Sequence, residues 1–107
     1  MSKQTPESNA LASICEYLAV KGYVFWRQNN TGVYDVANKR FRAMPTYSAK
    51  GVADIQVIID GKSWFLEVKA PKGVQSPDQK EFEFLVKRAG AEYHIVRSID
   101  DLQALGF

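Results

Sequence analysis

Ala53-Asp54-Ile55-Gln56-Val57-Ile58-Ile59-Asp60-Gly61-Lys62-Ser63-Trp64-Phe65-Leu66-Glu67-Val68-Lys69 is the stretch on which the fold turns. Two runs rich in β-branched and aromatic residues flank Asp60-Gly61, and Asp-Gly between such runs signals a two-residue type I′ hairpin turn. With Asp60 and Gly61 as the loop, Ile59 faces Lys62 and every later pair has residue numbers summing to 121. Asp54 then lies opposite Glu67, with β-carbons about 4.5 to 5.5 Å apart. Side chains alternate along a strand, so Glu67 and Lys69 share the face of Asp54 while Trp64, Leu66 and Val68 turn the other way. Two facing carboxylates repel, and the register demands a proton, a cation or a metal between them.

Oxygen ligands of this kind suit Mg²⁺ or Mn²⁺, which take few carboxylates and leave positions for water or phosphate. A lysine beside them can orient or deprotonate an attacking water and stabilise developing negative charge. The bland alternative is a carboxylate–lysine ion pair on a solvated strand face. The Asp54–Glu67 register favours the site.

Outward from the hairpin, Leu11, Ile14, Cys15 and Leu18 recur at helical spacing and predict a first helix over roughly 7–20. Tyr23 to Arg27 reads as a short strand, and Lys39 to Ala43 as a ragged one. Ser76-Pro77-Asp78-Gln79 combines an N-cap, a proline at the first helical position and a capping-box glutamine. It opens a helix over about 77–89 whose stripe is Phe82, Leu85, Val86 and Ala89. Glu92 to Val96 is a last strand, and Ser98 to Leu105 a short capped helix. The whole of 1–107 reads as one α/β domain, a mixed sheet flanked by helices in the order αβββαβ plus a short C-terminal helix, with the ragged strand as an addition to that core.

The chain of 107 residues is large enough to bury a core without staples. One cysteine and one histidine exclude an internal disulfide and any cysteine- or histidine-built metal centre. No apolar run approaches the roughly 18 residues of a membrane span, and the start MSKQTPESNA has no signal-peptide pattern, so a cytoplasmic location is expected. Charge is uneven. Residues 21–50 carry six bases against Asp35, whereas 51–107 carry seven bases against nine acids. A basic middle meets a polyanion by releasing counterions, or is simply a solvated loop.

In order along the chain, Phe25-Trp26-Arg27-Gln28-Asn29-Asn30-Thr31-Gly32, Gly51-Val52-Ala53-Asp54-Ile55, Glu67-Val68-Lys69, Ser76-Pro77-Asp78-Gln79 and Tyr93-His94-Ile95-Val96-Arg97-Ser98 resemble the VRR-NUC branch of the PD-(D/E)XK nucleases. Ala53 stands where the superfamily signature has proline. The resemblance implies a restriction-endonuclease-like core and a Mg²⁺- or Mn²⁺-dependent DNA endonuclease leaving 5′-phosphate and 3′-hydroxyl ends. In that reading Asp54, Glu67 and the Val68 carbonyl hold metal, and Lys69 positions water. Gln79 matches a glutamine that such nucleases place after the catalytic hairpin, and it equally closes the capping box with Ser76. The family's first-helix glutamate falls to Glu7, which lies on the apolar stripe, ahead of Glu16 beside the polar face; the helix dipole alone also favours an acid in a first turn.

Arg27, Asn29 and Thr31 match the stretch that contacts phosphate oxygens, though turn chemistry explains the asparagines equally well. Lys39, Arg40, Arg42 and Lys50 are expected to supply a backbone-contacting arm, with no individual contact assigned. Stand-alone members look like structure-selective enzymes acting on branched DNA such as Holliday (four-way) junctions, which implies a homodimer whose two-fold axis matches the substrate, and their small size suggests a phage or bacterial source. The rival functions are a catalytically silent DNA-binding module and an accessory subunit of a larger nuclease. His94 is expected to face outward, Cys15 to pack in the core, and Phe84 to stand exposed among Lys80, Lys87 and Arg88.

Overall fold

The computed structural model describes residues 5–28, 34, 35, 37, 40, 41, 47 and 49–107. Its elements are α1 (Pro6–Val20), β1 (Val24–Arg27), β2 (Tyr34–Asp35), β3 (Arg40–Phe41), β4 (Ile55–Ile59), β5 (Lys62–Val68), α2 (Pro77–Arg88), β6 (Glu92–Val96) and α3 (Ile99–Ala104). Four strands form one mixed sheet in the order β1-β4-β5-β6. The first three are antiparallel, and β6 runs parallel to β5, a connection that needs a crossover and receives it from α2.

The hairpin has the expected register: Ile59 pairs with Lys62 and Ile55 with Leu66. Asp60 and Gly61 both have positive φ, 51° and 78°, as a type I′ turn requires. Of the ragged strand expected around Lys39 to Ala43, Arg40–Phe41 is extended and pairs with an unforeseen β2 in a separate two-stranded sheet, while Lys39, Arg42 and Ala43 lie outside the described residues. Without an alternating apolar run, β2 does not announce itself in the sequence.

Alternation along the strands splits the core into two layers. Ile55, Val57, Leu66, Val68 and Val96 meet Ile14 and Leu18 of α1 and Leu102 of α3, all fully buried. Leu11 and Cys15 pack against that layer from the side, as their helical spacing foretells. On the opposite face Ala53, Tyr93 and Phe82 of α2 are buried, with Phe65, Val86 and Ile95 packed on them. Phe82 sets its ring edge-on to Phe65, the centroids 5.1 Å apart.

The expected stripe of α2 is only half right. Phe82 and Val86 pack, whereas Leu85 is 51% exposed and lines a surface groove with Ala49 and Lys50. The backbone of α2 lies nearest β6, and Phe82 reaches across to Phe65 of β5, so its apolar face is narrower than the 3.6-residue pattern suggests. Phe84 is exposed, as expected. His94 is not turned freely outward. It stacks on Trp64 and sets Nε2 3.0 Å from Glu92 Oε1, on the α1–α3 face. Among the described residues no helix is long and apolar enough to cross a membrane.

Candidate functional site

The site is assembled at the end of the sheet where β4 begins and β5 stops. Asp54 immediately precedes β4, and two backbone bonds fix it: its own carbonyl accepts from Gln28 N at 2.8 Å, and its Oδ2 accepts from Val68 N at 2.8 Å. One carboxylate oxygen thus ties the start of β4 to the end of β5. The other oxygen remains for a partner on the same face as Glu67 and Lys69.

Glu67 is 2% exposed. Its Oε1 accepts from Gln79 Nε2 at 3.2 Å and pairs with Lys69 Nζ at 3.6 Å. Its Oε2 is buried without a hydrogen-bond partner. A buried carboxylate oxygen left unpaired costs on the order of 1–3 kcal/mol or more, so the position calls for a proton or a cation. Burial, and after it the nearby Asp54 carboxylate, push the Glu67 carboxyl up to about 8, while Lys69 pulls the other way. The facing-carboxylate conflict read from the register is therefore present in the folded chain.

Lys69 is itself 9% exposed. Its amide donates to Val96 O at 3.1 Å, extending the β5–β6 ladder one residue past the strand and fixing where the side chain leaves the backbone. Gln79 unites the two roles that the sequence left open. Its Oε1 accepts from Ser76 N at 2.9 Å while its own amide donates to Ser76 Oγ, completing the capping box, and its Nε2 reaches Glu67. The carboxamide has an acceptor and a donor end, so one residue starts the helix and orients the carboxylate.

Three supports escaped the sequence reading. Gly51 has φ +71°, and a β-carbon there would lie 2.3 Å from Asp78 O and 2.7 Å from Gln79 N, so the chain entering Asp54 runs directly against the first turn of α2. Arg97 donates through Nη1 to Ala70 O at 2.6 Å and Gly73 O at 3.0 Å, clamping the loop that leaves Lys69. Gln75 donates to Glu83 Oε1 and to Tyr93 Oη, pinning the far end of that loop. Gly51 and Arg97 belong to quoted motifs, but nothing in their spacing says what they touch.

Glu7 stands exposed in the first turn of α1, on the helix that covers the face opposite Glu67. The helix does extend to it, as the stripe reading requires. The next two turns place Asn9, Ala10 and Ser13 in a groove of about 390 Å³ with Arg97 and Ser98, at the site's end of the sheet. No described bond joins Glu7 to Asp54 or Glu67. Glu16 is exposed further along α1. Arg27 and Lys50 are exposed, and Arg40 lies in β3; Asn29, Thr31, Lys39 and Arg42 lie outside the described residues.

The donor set fits a hard divalent cation. Two carboxylates converge, one with an oxygen that has no other partner, beside a lysine that balances charge. Among the described residues there is no group of three or more His, Cys, Asp or Glu side chains to form a closed metal cage. A protein-poor set is what Mg²⁺ tolerates when water and phosphate complete its shell.

No protein-family model matches the sequence, and no curated protein matches it significantly. The chain is similar to a solved structure described as a VRR_NUC domain, at 21% identity and a TM-score of 0.67, with 95% of each chain covered. The fold thus agrees over nearly the full length: the chain has the fold of a VRR_NUC domain.

Proposed function

We propose that the protein is a divalent-cation-dependent DNA endonuclease. The observation that carries the reading is the buried Glu67 carboxylate, one oxygen unpartnered, set beside Asp54 and held by Lys69 and Gln79. Such an arrangement destabilises an empty fold and is useful only when positive charge arrives. The VRR_NUC fold supports the same reading.

Asp54, Glu67 and the Val68 carbonyl would hold Mg²⁺ or Mn²⁺, which when bound supplies positive charge against the phosphate undergoing substitution. Asp54 is oriented by Val68 N, and Glu67 by Gln79. Lys69 holds the attacking water and offsets the charge that builds on the phosphate oxygens. The water oxygen forms a bond to phosphorus as the bond to the 3′-oxygen breaks, leaving a 5′-phosphate and a 3′-hydroxyl. Glu7, from the amino-terminal turn of α1, is assigned to the outer edge of the site. Arg27, Asn29, Thr31, Lys39, Arg40, Arg42 and Lys50 supply phosphate contacts that position the duplex. One site cuts one strand, so paired cuts in branched DNA require a homodimer. The reading places the enzyme in the cytoplasm with the DNA.

The test is cleavage of labelled four-way junction, flap, nicked and plain duplex in Mg²⁺, Mn²⁺ or EDTA, by wild type and Asp54→Asn. Cutting that needs metal and vanishes in the variant supports the assignment, and the ranking names the substrate. Binding with every substrate left intact makes the protein a DNA-binding module. Sedimentation at micromolar concentration checks the dimer; a monomer there removes the paired-cut reading.

A further inference from the structure

We propose that Trp26 is a stacking platform for an unpaired base of the strand in the site, so that DNA with open or readily opened bases is preferred over intact duplex. The inference rests on the nuclease reading and adds a substrate class to it. Trp26 pairs with Gln56 across β1 and β4, and Gln56 lies two residues beyond Asp54, so the indole projects from the face that carries Asp54 and Glu67. Strand spacing and rise put its backbone about 8 Å from that of Asp54. The Gln28 amide, two residues on, donates to the Asp54 carbonyl at 2.8 Å, which ties the end of β1 directly to the site.

This half of the sheet has no helix over it among the described elements. Helix α2 packs on β6, while α1 meets β1 and β5 with the buried residues of the other layer. Trp26 is consequently 44% exposed and Val24 beside it 65%. Trp64 differs: His94 and Phe107 occupy its ring, with centroids 5.3 and 5.5 Å away. No ring among the described residues lies against Trp26. The surface next to it is polar and fixed, since Gln28 Nε2 donates to Gln56 Oε1 at 2.9 Å and Gln56 Nε2 to Ser63 Oγ at 3.1 Å. Arg27, the next residue, pairs with Ile55 and projects from the opposite face, so the stacking surface is Trp26 with its amide neighbours. An exposed indole rimmed by amides, within a nucleotide's reach of the proposed cleavage centre, has the chemistry of a single-strand stacking site.

The chain contains two tryptophans, so Trp64→Phe leaves Trp26 as the only indole. Its fluorescence is followed in EDTA, where binding is read without cleavage, during titration with oligothymidylate, with a four-way junction and with blunt duplex. Anisotropy of the same labelled DNAs compares wild type with Trp26→Ala and Trp26→Phe, which needs no change at Trp64. Quenching is expected with the oligothymidylate and the junction but not with the duplex. Trp26→Ala should weaken oligothymidylate binding about tenfold or more while moving duplex binding by less than about twofold, and Trp26→Phe should retain most of the affinity. Equal quenching by duplex, no loss in Trp26→Ala, or dissociation of a dimer by Trp26→Ala would each overturn the proposal, the last because a second copy would then occupy the face. Failure of the nuclease reading shows separately, as intact DNA in Mg²⁺ with the quenching preserved.

Discussion

Glu67 carries a cost that its fold-mates do not. Its carboxyl sits among apolar side chains and beside Asp54, which raises it from 4.5 to about 8, so the metal-free native state holds a proton that the unfolded chain releases. The native state binds more protons than the unfolded state between those values. The corresponding stability is complete below about pH 4.5 and is lost as pH rises through about 8. Denaturant titrations in EDTA should show this group's share falling by on the order of a few kcal/mol from pH 5 to pH 8.5. Glu67→Gln should flatten that slope and stabilise the metal-free protein at pH 8.5; an unchanged slope would remove the burial argument. Gly51 gives the second prediction at this scale. Gly51→Ala forces a methyl onto Asp78 O at a positive φ, and should cost on the order of 2 kcal/mol or more in thermal unfolding. A cost as small as that of Gly22→Ala, where φ is also positive but the space is open, would show that the close approach is unimportant.

These residues differ in how far the sequence disclosed them. Asp54, Glu67 and Lys69 were legible because an Asp-Gly turn fixes register and register fixes facing pairs. Gly51 and Arg97 were not, since each acts on backbone that is distant in sequence, and no periodicity encodes a contact between loops.

At the scale of elements, α2 joins folding to the site through its first turn. Ser76→Ala removes the N-cap and should cost about 1 kcal/mol in chemical unfolding. Gln79→Glu separates the two duties of that side chain. A glutamate still accepts from Ser76 N, so the cap survives, but it places a third carboxylate against Glu67 Oε1 where a donor stood. Stability in EDTA at pH 8.5 should fall and cleavage should drop, while helix content by circular dichroism stays. Unaltered cleavage would return Gln79 to a capping role alone. The cap was readable as Ser-Pro-Asp-Gln, and so was the hairpin. Leu85 was misread because helical periodicity reports which residues lie on one side, whereas the width actually covered depends on how α2 sits on β6. β3 falls within the ragged strand expected around Lys39 to Ala43, whereas β2 was missed because two residues leave no pattern to detect.

The whole molecule places this site at one end of a sheet whose other layer is ordinary core. Leu66 and Leu102 are fully buried in the α1–α3 layer, and either residue changed to alanine should cost about 2–5 kcal/mol without altering the metal dependence of cleavage. Fold class was legible because the order of helical and strand signals, unclear between Val33 and Lys50, pointed to a mixed sheet covered by helices. On the proposed reading, the centre is the row of Asp54, Glu67, Lys69 and Gln79. Single-turnover cleavage of an end-labelled DNA in Mg²⁺ by wild type and Lys69→Ala tests that row most directly. The account predicts a metal-dependent wild-type rate that falls about 10²–10³-fold in the variant while DNA binding is retained. An equal rate in the two proteins, or cutting by wild type that persists in EDTA, would contradict it.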